Sequence, residues 1–236
     1  MTDEPTSKPP KTSKPAQSAP GTLDAASTDS PLLALGDSTP ERILSAVMGQ
    51  VSERGIGSMT VQHILNASGF SRRTFYKFFS GKEQALDVLY GRLIDALMDR
   101  FRQSAATFDD PIASLSASAR VYLNIQRLAG GFALALHNEA TRPGSPLGPR
   151  REAALDALIA FFISELRRNT DVAPIDPLMV RGWVLGLEGM VTHLHRQGGL
   201  DEAGVDRLHR IFMASVVRTL ADNDDPDLPP LPEFSF

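Results

Sequence analysis

The chain has 236 residues, 42% of them hydrophobic, and a formal net charge of -4, which suits one large or two small domains with a buried core. It contains no cysteine, which excludes a disulfide framework, cysteine-ligated zinc and thiol catalysis and fits a reducing compartment. With neither an apolar run long enough to span a bilayer nor a charged-then-apolar leader, the chain is expected to be soluble, cytoplasmic and free of membrane contact.

Residues 1–38 hold six prolines, many Ser, Thr and Ala, and hardly a large apolar side chain before Leu32. Such a segment buries too little surface to offset the entropy of ordering it, and reads as a disordered arm. Thr39-Pro40 then supply an N-cap and a first-turn proline. They open a helix with Ile43, Leu44, Val47, Met48 and Val51 on one face, ended by Gly55 and Gly57. A second helix from Thr60 aligns Val61, Ile64 and Leu65 and stops near Gly69; a third runs from Ser71 to about Phe79. Ser80 and Glu83 have the spacing of a capping box, which would open a long helix through Phe101.

Farther along, Asp110-Pro111 start a helix broken at Gly130-Gly131, after which FALALHNEA forms a shorter one. Residues 150–169 give a further helix, Asp176-Pro177 start one ending near Gln197, and Asp201 caps the last, to about Ala221. Nine helices are expected, no segment alternates with period two, and the predicted fold is all-α. The final stretch, DNDDPDLPPLPEFSF, is an acidic Pro-rich tail.

The stretch SRRTFYKFFSGKE sets Arg72, Arg73, Lys77 and Lys82 among four aromatic rings in a mildly acidic chain. Cations early in a helix oppose its dipole, so the cluster costs local stability, and a phosphate backbone supplies a reason for it. The second and third helices, joined by the turn S-G-F-S, make a helix-turn-helix whose third helix can enter a major groove. Phe75 and Phe79, four apart, are expected to face inward, and Tyr76 outward.

From Pro40 to about Leu89 the residues Ile43-Leu44, Gly55, Thr60-Val61, Ile64, Ala67-Ser68-Gly69-Phe70-Ser71, Thr74-Phe75-Tyr76, Phe79 and Lys82-Glu83 resemble the DNA-binding domain of TetR-family transcriptional regulators. The resemblance implies that Thr60, Ser71, Arg72, Arg73, Thr74, Tyr76, Lys77 and Lys82 fall at DNA-contacting positions. Arg72, Arg73 and Lys77 are the candidates for reading bases, and Thr60, Tyr76 and Lys82 for holding phosphates. Phe78 and His63 depart from the family pattern, in place of a usual His and a usual acidic residue.

The division implied is an arm (1–38), a helix-turn-helix domain (39–85), a helical ligand-binding and dimerisation domain (86–221) and a tail (222–236). Leu187, Met190, Val191, Leu194, Ile211, Phe212 and Val216 on the last two helices are candidates for a four-helix dimer interface, with Gly182, Gly186 and Gly189 permitting close approach. Phe101, Tyr122, Phe132, His137, Phe162 and Trp183 are candidates for a cavity that takes a largely apolar small molecule. The function expected is a ligand-responsive repressor that binds a pseudo-palindromic operator in double-stranded DNA as a homodimer. A protein-interaction module that keeps the fold is the alternative. No catalytic constellation, cofactor motif or metal site is expected: His193 and His195 stand two apart and do not share a helix face.

Overall fold

The structure is a computed structural model that describes residues 33–168 and 175–222; most of the expected arm, and the tail beyond Asp222, lie outside them. Among the described residues there are eight helices: α1 (Thr39–Ser58), α2 (Val61–Ser68), α3 (Arg72–Phe78), α4 (Lys82–Ala105), α5 (Pro111–Thr141), α6 (Gly148–Arg167), α7 (Pro177–Arg196) and α8 (Glu202–Asp222). The fold is all-α.

Helix starts follow the local chemistry. Asp110 accepts from the backbone N–H of Ile112 and Ala113, Asp176 from that of Leu178, and Asp201 from that of Gly204, so that each satisfies donors its helix leaves unpaired. At α4 the expected capping box does not form. Gly81 is the cap, and the Ser80 N–H donates to Gln84 Oε1 at 2.5 Å, so a neutral amide one residue beyond Glu83 takes that donor.

The expected break at Gly130-Gly131 is a kink inside one helix, which is why there are eight helices and not nine. Gly130 adopts φ 50°, a conformation that costs a residue with a Cβ. The chain thereby turns sharply without a loop. The kink divides α5 between two apolar cores: Leu115, Ala119 and Leu123 pack with α6, α7 and α8, whereas Leu136 and Ala140 pack with α1 to α4. α4 runs from the N-terminal group α1–α3, the head, into the larger helical region, contributing Leu86, Leu89 and Leu93 to the head's core.

The face of α7 and α8 left open differs from the one read from sequence. Leu187, Val191, Phe212 and Val216 are buried in the protein's own core, and Met190 and Leu194 pack against it. Of the residues expected at a dimer interface only Ile211 faces outward, 44% exposed. With it on the open surface stand Leu178, Leu185 and Val217, together with Gly182, Gly186 and Gly189. Both helices carry apolar residues around more than one face, so spacing alone left the inner and outer faces interchangeable.

Candidate DNA interface and interior cavity

α3 is set at the surface by what lies beneath it. Phe75 is fully buried and Phe79 nearly so; their rings stand 5.8 Å apart and anchor the short helix to the head's core. That anchoring turns the opposite side outward, exposing Ser71, Arg72, Arg73, Tyr76 and Lys77, with Thr74 partly covered. Tyr76 leaves 49% of itself to solvent while its ring meets Phe75 edge-on at 5.3 Å. The turn before α3 depends on Gly69, at φ 73°, whose N–H closes α2 by donating to Leu65 O.

Both helices of the motif present capped N-termini to one surface. Thr60 Oγ1 accepts from His63 N at 3.2 Å and Ser71 Oγ from Thr74 N at 3.1 Å; the Thr60 hydroxyl proton stays available to an acceptor, whereas Ser71 Oγ and Thr74 Oγ1, 2.9 Å apart, use one of their two protons on each other. Arg72 is steadied by Gln62 Oε1 at 3.3 Å, so α2 and α3 are bridged on the exposed side. Arg73 has no hydrogen-bond or ion-pair partner among the described residues. Lys77 lies over the Phe78 ring at 5.6 Å. Lys82 is placed differently: its Nζ donates to the Met59 carbonyl at 2.8 Å and ties the start of α4 to the loop before α2.

Behind the head lies a cavity of about 610 Å³. α1 walls it with Ser45, Met48 and Gly49, α4 with Tyr90, Leu93, Ile94 and Leu97, and α5 with residues on both sides of the Gly130 kink. The remaining wall comes from Arg151 on α6 and from Glu188, Val191, Thr192 and His195 on α7. A smaller apolar compartment of about 80 Å³ adjoins it, sharing Tyr90, Tyr122, Arg151 and Glu188. These two tyrosines and the Arg151–Glu188 pair therefore stand where the two spaces meet.

Residues 43–88 match the family described as bacterial regulatory proteins, tetR family. That span is a DNA-binding domain of the TetR family of transcriptional regulators. An uncharacterised HTH-type transcriptional regulator of Mycobacterium tuberculosis is 28% identical to it over 180 residues, which is 75% of this chain and 84% of the relative. Among solved structures, the fatty acid degradation regulator FadR of Bacillus halodurans superposes with a TM-score of 0.66 at 18% identity, covering 77% of this chain and 98% of that one. The FadR repressor of Thermus thermophilus, solved in complex with lauroyl-CoA, does so at 0.56 and 22% identity, covering 83% of this chain and all of the other. These two likenesses are likenesses of fold.

Of the cavity residues read from this regulator's sequence, Tyr122, Phe132 and His137 line the main space. Phe101 and Phe162 line the smaller compartment, their rings 6.0 Å apart. Trp183 lines neither; it packs half-buried against the core of the larger region. Tyr90, Arg151, Glu188 and His195 escaped the sequence reading. Arg151 Nη2 and Glu188 Oε2 are 2.6 Å apart with their side chains 12% and 20% exposed, a pairing across 37 positions that no local pattern encodes.

Burial dominates the electrostatics here. It pushes the Tyr90 hydroxyl up to about 12, with Arg151 pulling it down and Glu188 pushing it further up, and it raises Tyr122 more strongly. Both phenols are therefore neutral donors at physiological pH. Burial also lowers His137 and His195, holding both imidazoles towards the neutral form. Among the described residues no group of His, Cys, Asp and Glu could hold a metal ion, and no helix is long and apolar enough to cross a membrane.

Proposed function

We propose that this regulator binds a pseudo-palindromic operator as a homodimer through two copies of α3, and that a small molecule in the interior cavity alters that binding. The observation that carries the reading is the position of the cavity: α1 of the DNA-binding head and the arm α4 are two of its walls. An occupant that fits better when these walls are displaced moves the heads, and needs only a differential affinity for the two arrangements to do so. Two recognition helices must meet successive major grooves about 34–36 Å apart, so a modest swing of α4 breaks the match.

Arg72, Arg73 and Lys77 take the base-reading role in this account, and Thr60, Ser71, Thr74 and Tyr76 hold the backbone. The division into a head at 39–85 and a ligand-binding and dimerisation region at 86–221 belongs to the same reading. Dimerisation is assigned to the open face of α7 and α8, where Leu178, Leu185, Ile211 and Val217 are uncovered and glycines permit close helix approach. Repression, with release on ligand binding, is the mode of control; the T. thermophilus relative is itself a repressor that holds an acyl-CoA.

The experiment is selection of bound duplexes from a random library at fixed salt, with wild type and an Arg73→Ala, Tyr76→Ala double variant. Enrichment of an inverted repeat by the wild type alone supports the reading. Equal recovery by both proteins refutes DNA reading by α3 and favours a protein-interaction role for the head.

A further inference from the structure

The two tyrosines at the junction of the cavities carry hydroxyl donors that the fold itself does not use. Tyr122 lies deep in the protein, and the part of it left uncovered faces the cavity. Its hydroxyl makes no hydrogen bond among the described residues, and neither does that of Tyr90 across the same space. Both side chains are half-buried and line the cavity, so each O–H that the fold leaves without a protein acceptor is open to whatever occupies that space, which phenylalanine could not offer. Two such donors converging on one space point to an acceptor that arrives from outside.

The charges around them set the character of that acceptor. Arg151 is already balanced by Glu188 at 2.6 Å and, towards the surface, by Glu152 at 3.2 Å. A ligand carboxylate approaching Arg151 would meet two carboxylates already held there, or displace Glu188 into an apolar surround; a ligand cation drawn to Glu188 would compete with Arg151 in the same way. The neutral His137 supplies no compensating charge. An uncharged ligand disturbs none of these pairings.

Resting on the reading of the cavity as the effector site, we propose that the effector is an uncharged, largely apolar molecule carrying a carbonyl group, whose oxygen accepts hydrogen bonds from Tyr122 and Tyr90. The carbonyl sits at the junction of the two spaces, with the bulk of the molecule against Met48, Leu93, Ile125 and Phe132 in the larger one.

The test uses three probes of matched chain length against the full-length protein: methyl nonyl ketone, undecanoate and decyltrimethylammonium, each displacing N-phenyl-1-naphthylamine, a neutral dye without a carbonyl. The ketone is expected to bind about tenfold more tightly than either ion, and Tyr122→Phe to cost it about fivefold while leaving the ions and the carbonyl-free dye unchanged. Tyr90→Phe, a smaller loss in the same direction, guards against a folding defect in the first variant. Tightest binding by undecanoate, or a ketone affinity indifferent to both substitutions, overturns the proposal and leaves the cavity as the effector site. If the dye fails to bind the wild type and none of the probes changes its DNA affinity, the cavity reading itself falls.

Discussion

Arg150 donates to both carboxylate oxygens of Asp87, from Nε at 2.7 Å and Nη2 at 2.8 Å, across the stretch of α4 where Gly91 leaves room for the guanidinium. Its neighbour Arg151 points to the cavity and pairs with Glu188. The first turn of α6 thus grips the arm that carries the head with one side chain and lines the cavity with the next. A displacement at Glu188 has a short path to α4, through two ion pairs joined by one peptide link.

Asp87→Asn keeps the shape and removes the charge. The pair is partly solvated, at 44% and 31% exposure, so the loss of stability is expected to be about 1 kcal/mol, read from urea unfolding. Effector-free DNA affinity should be retained while the effect of a cavity ligand on it weakens. An unchanged ligand effect would remove this pair from the coupling route. Gly91→Ala tests the same contact sterically, since its Cβ would lie 2.9 Å from Arg150 Nη1 and push the guanidinium away.

Two basic residues of the head should behave in opposite ways. Arg73→Ala is expected to weaken operator binding by about tenfold and relax base preference at one position, with thermal stability intact. Lys82→Met is expected to lower the melting temperature of the head, because it removes the bond to the Met59 carbonyl. Fluorescence anisotropy at two salt concentrations, beside a thermal melt, separates a lost contact from a loosened fold.

On the open face of α7 and α8, Leu185→Glu sets like charges against each other across a two-fold axis. Sedimentation should show monomer at concentrations where the wild type is a dimer, with operator affinity falling alongside. The buried Val191→Glu is expected instead to unfold the larger region, since it places a charge in the core. Intact dimers of Leu185→Glu would remove this face from the interface.

Stability should fall with acid. Burial lowers His137, His195 and His209 below their ordinary value of 6.5, so below that value the unfolded chain binds protons that the folded chain refuses. Stability is therefore full above about pH 6.5 and declines as the pH drops towards the depressed values. Asp87 adds a later loss: Arg150 holds its carboxyl below its ordinary 3.8, so its stabilisation is complete above that value and is lost as the pH falls from there through the lowered one. The urea midpoint is expected to be lower at pH 5.5 than at 7.5, and His209→Gln should flatten part of the difference. Equal midpoints would contradict this account.

Gly130→Ala tests the kink. A Cβ at φ 50° is strained by about 1–2 kcal/mol. The same substitution favours a straight α5, which would pull Leu136 and Ala140 from the head's core. A variant as stable as the wild type and unchanged in ligand response would show that the kink is not needed.

The amino-acid sequence by itself determined the local features of this regulator. Asp110-Pro111 and Asp176-Pro177 start helices because a carboxylate that accepts backbone N–H groups and a proline preset at φ act within four residues. Spacing alone placed Phe75 and Phe79 inward and Tyr76 outward, since a seven-residue helix against a core has one inner face. The tertiary structure decided what depends on distant partners. Whether Gly130 ends a helix or bends it was settled by two cores pulling on one helix, and whether Leu187 or Leu185 faces outward by how α5 and α6 pack on α7. Lys82 turned to a carbonyl 23 positions away, and the Arg151–Glu188 pair spans 37. Such contacts depend on the sum of many packing free energies, and no short stretch of chain contains that sum.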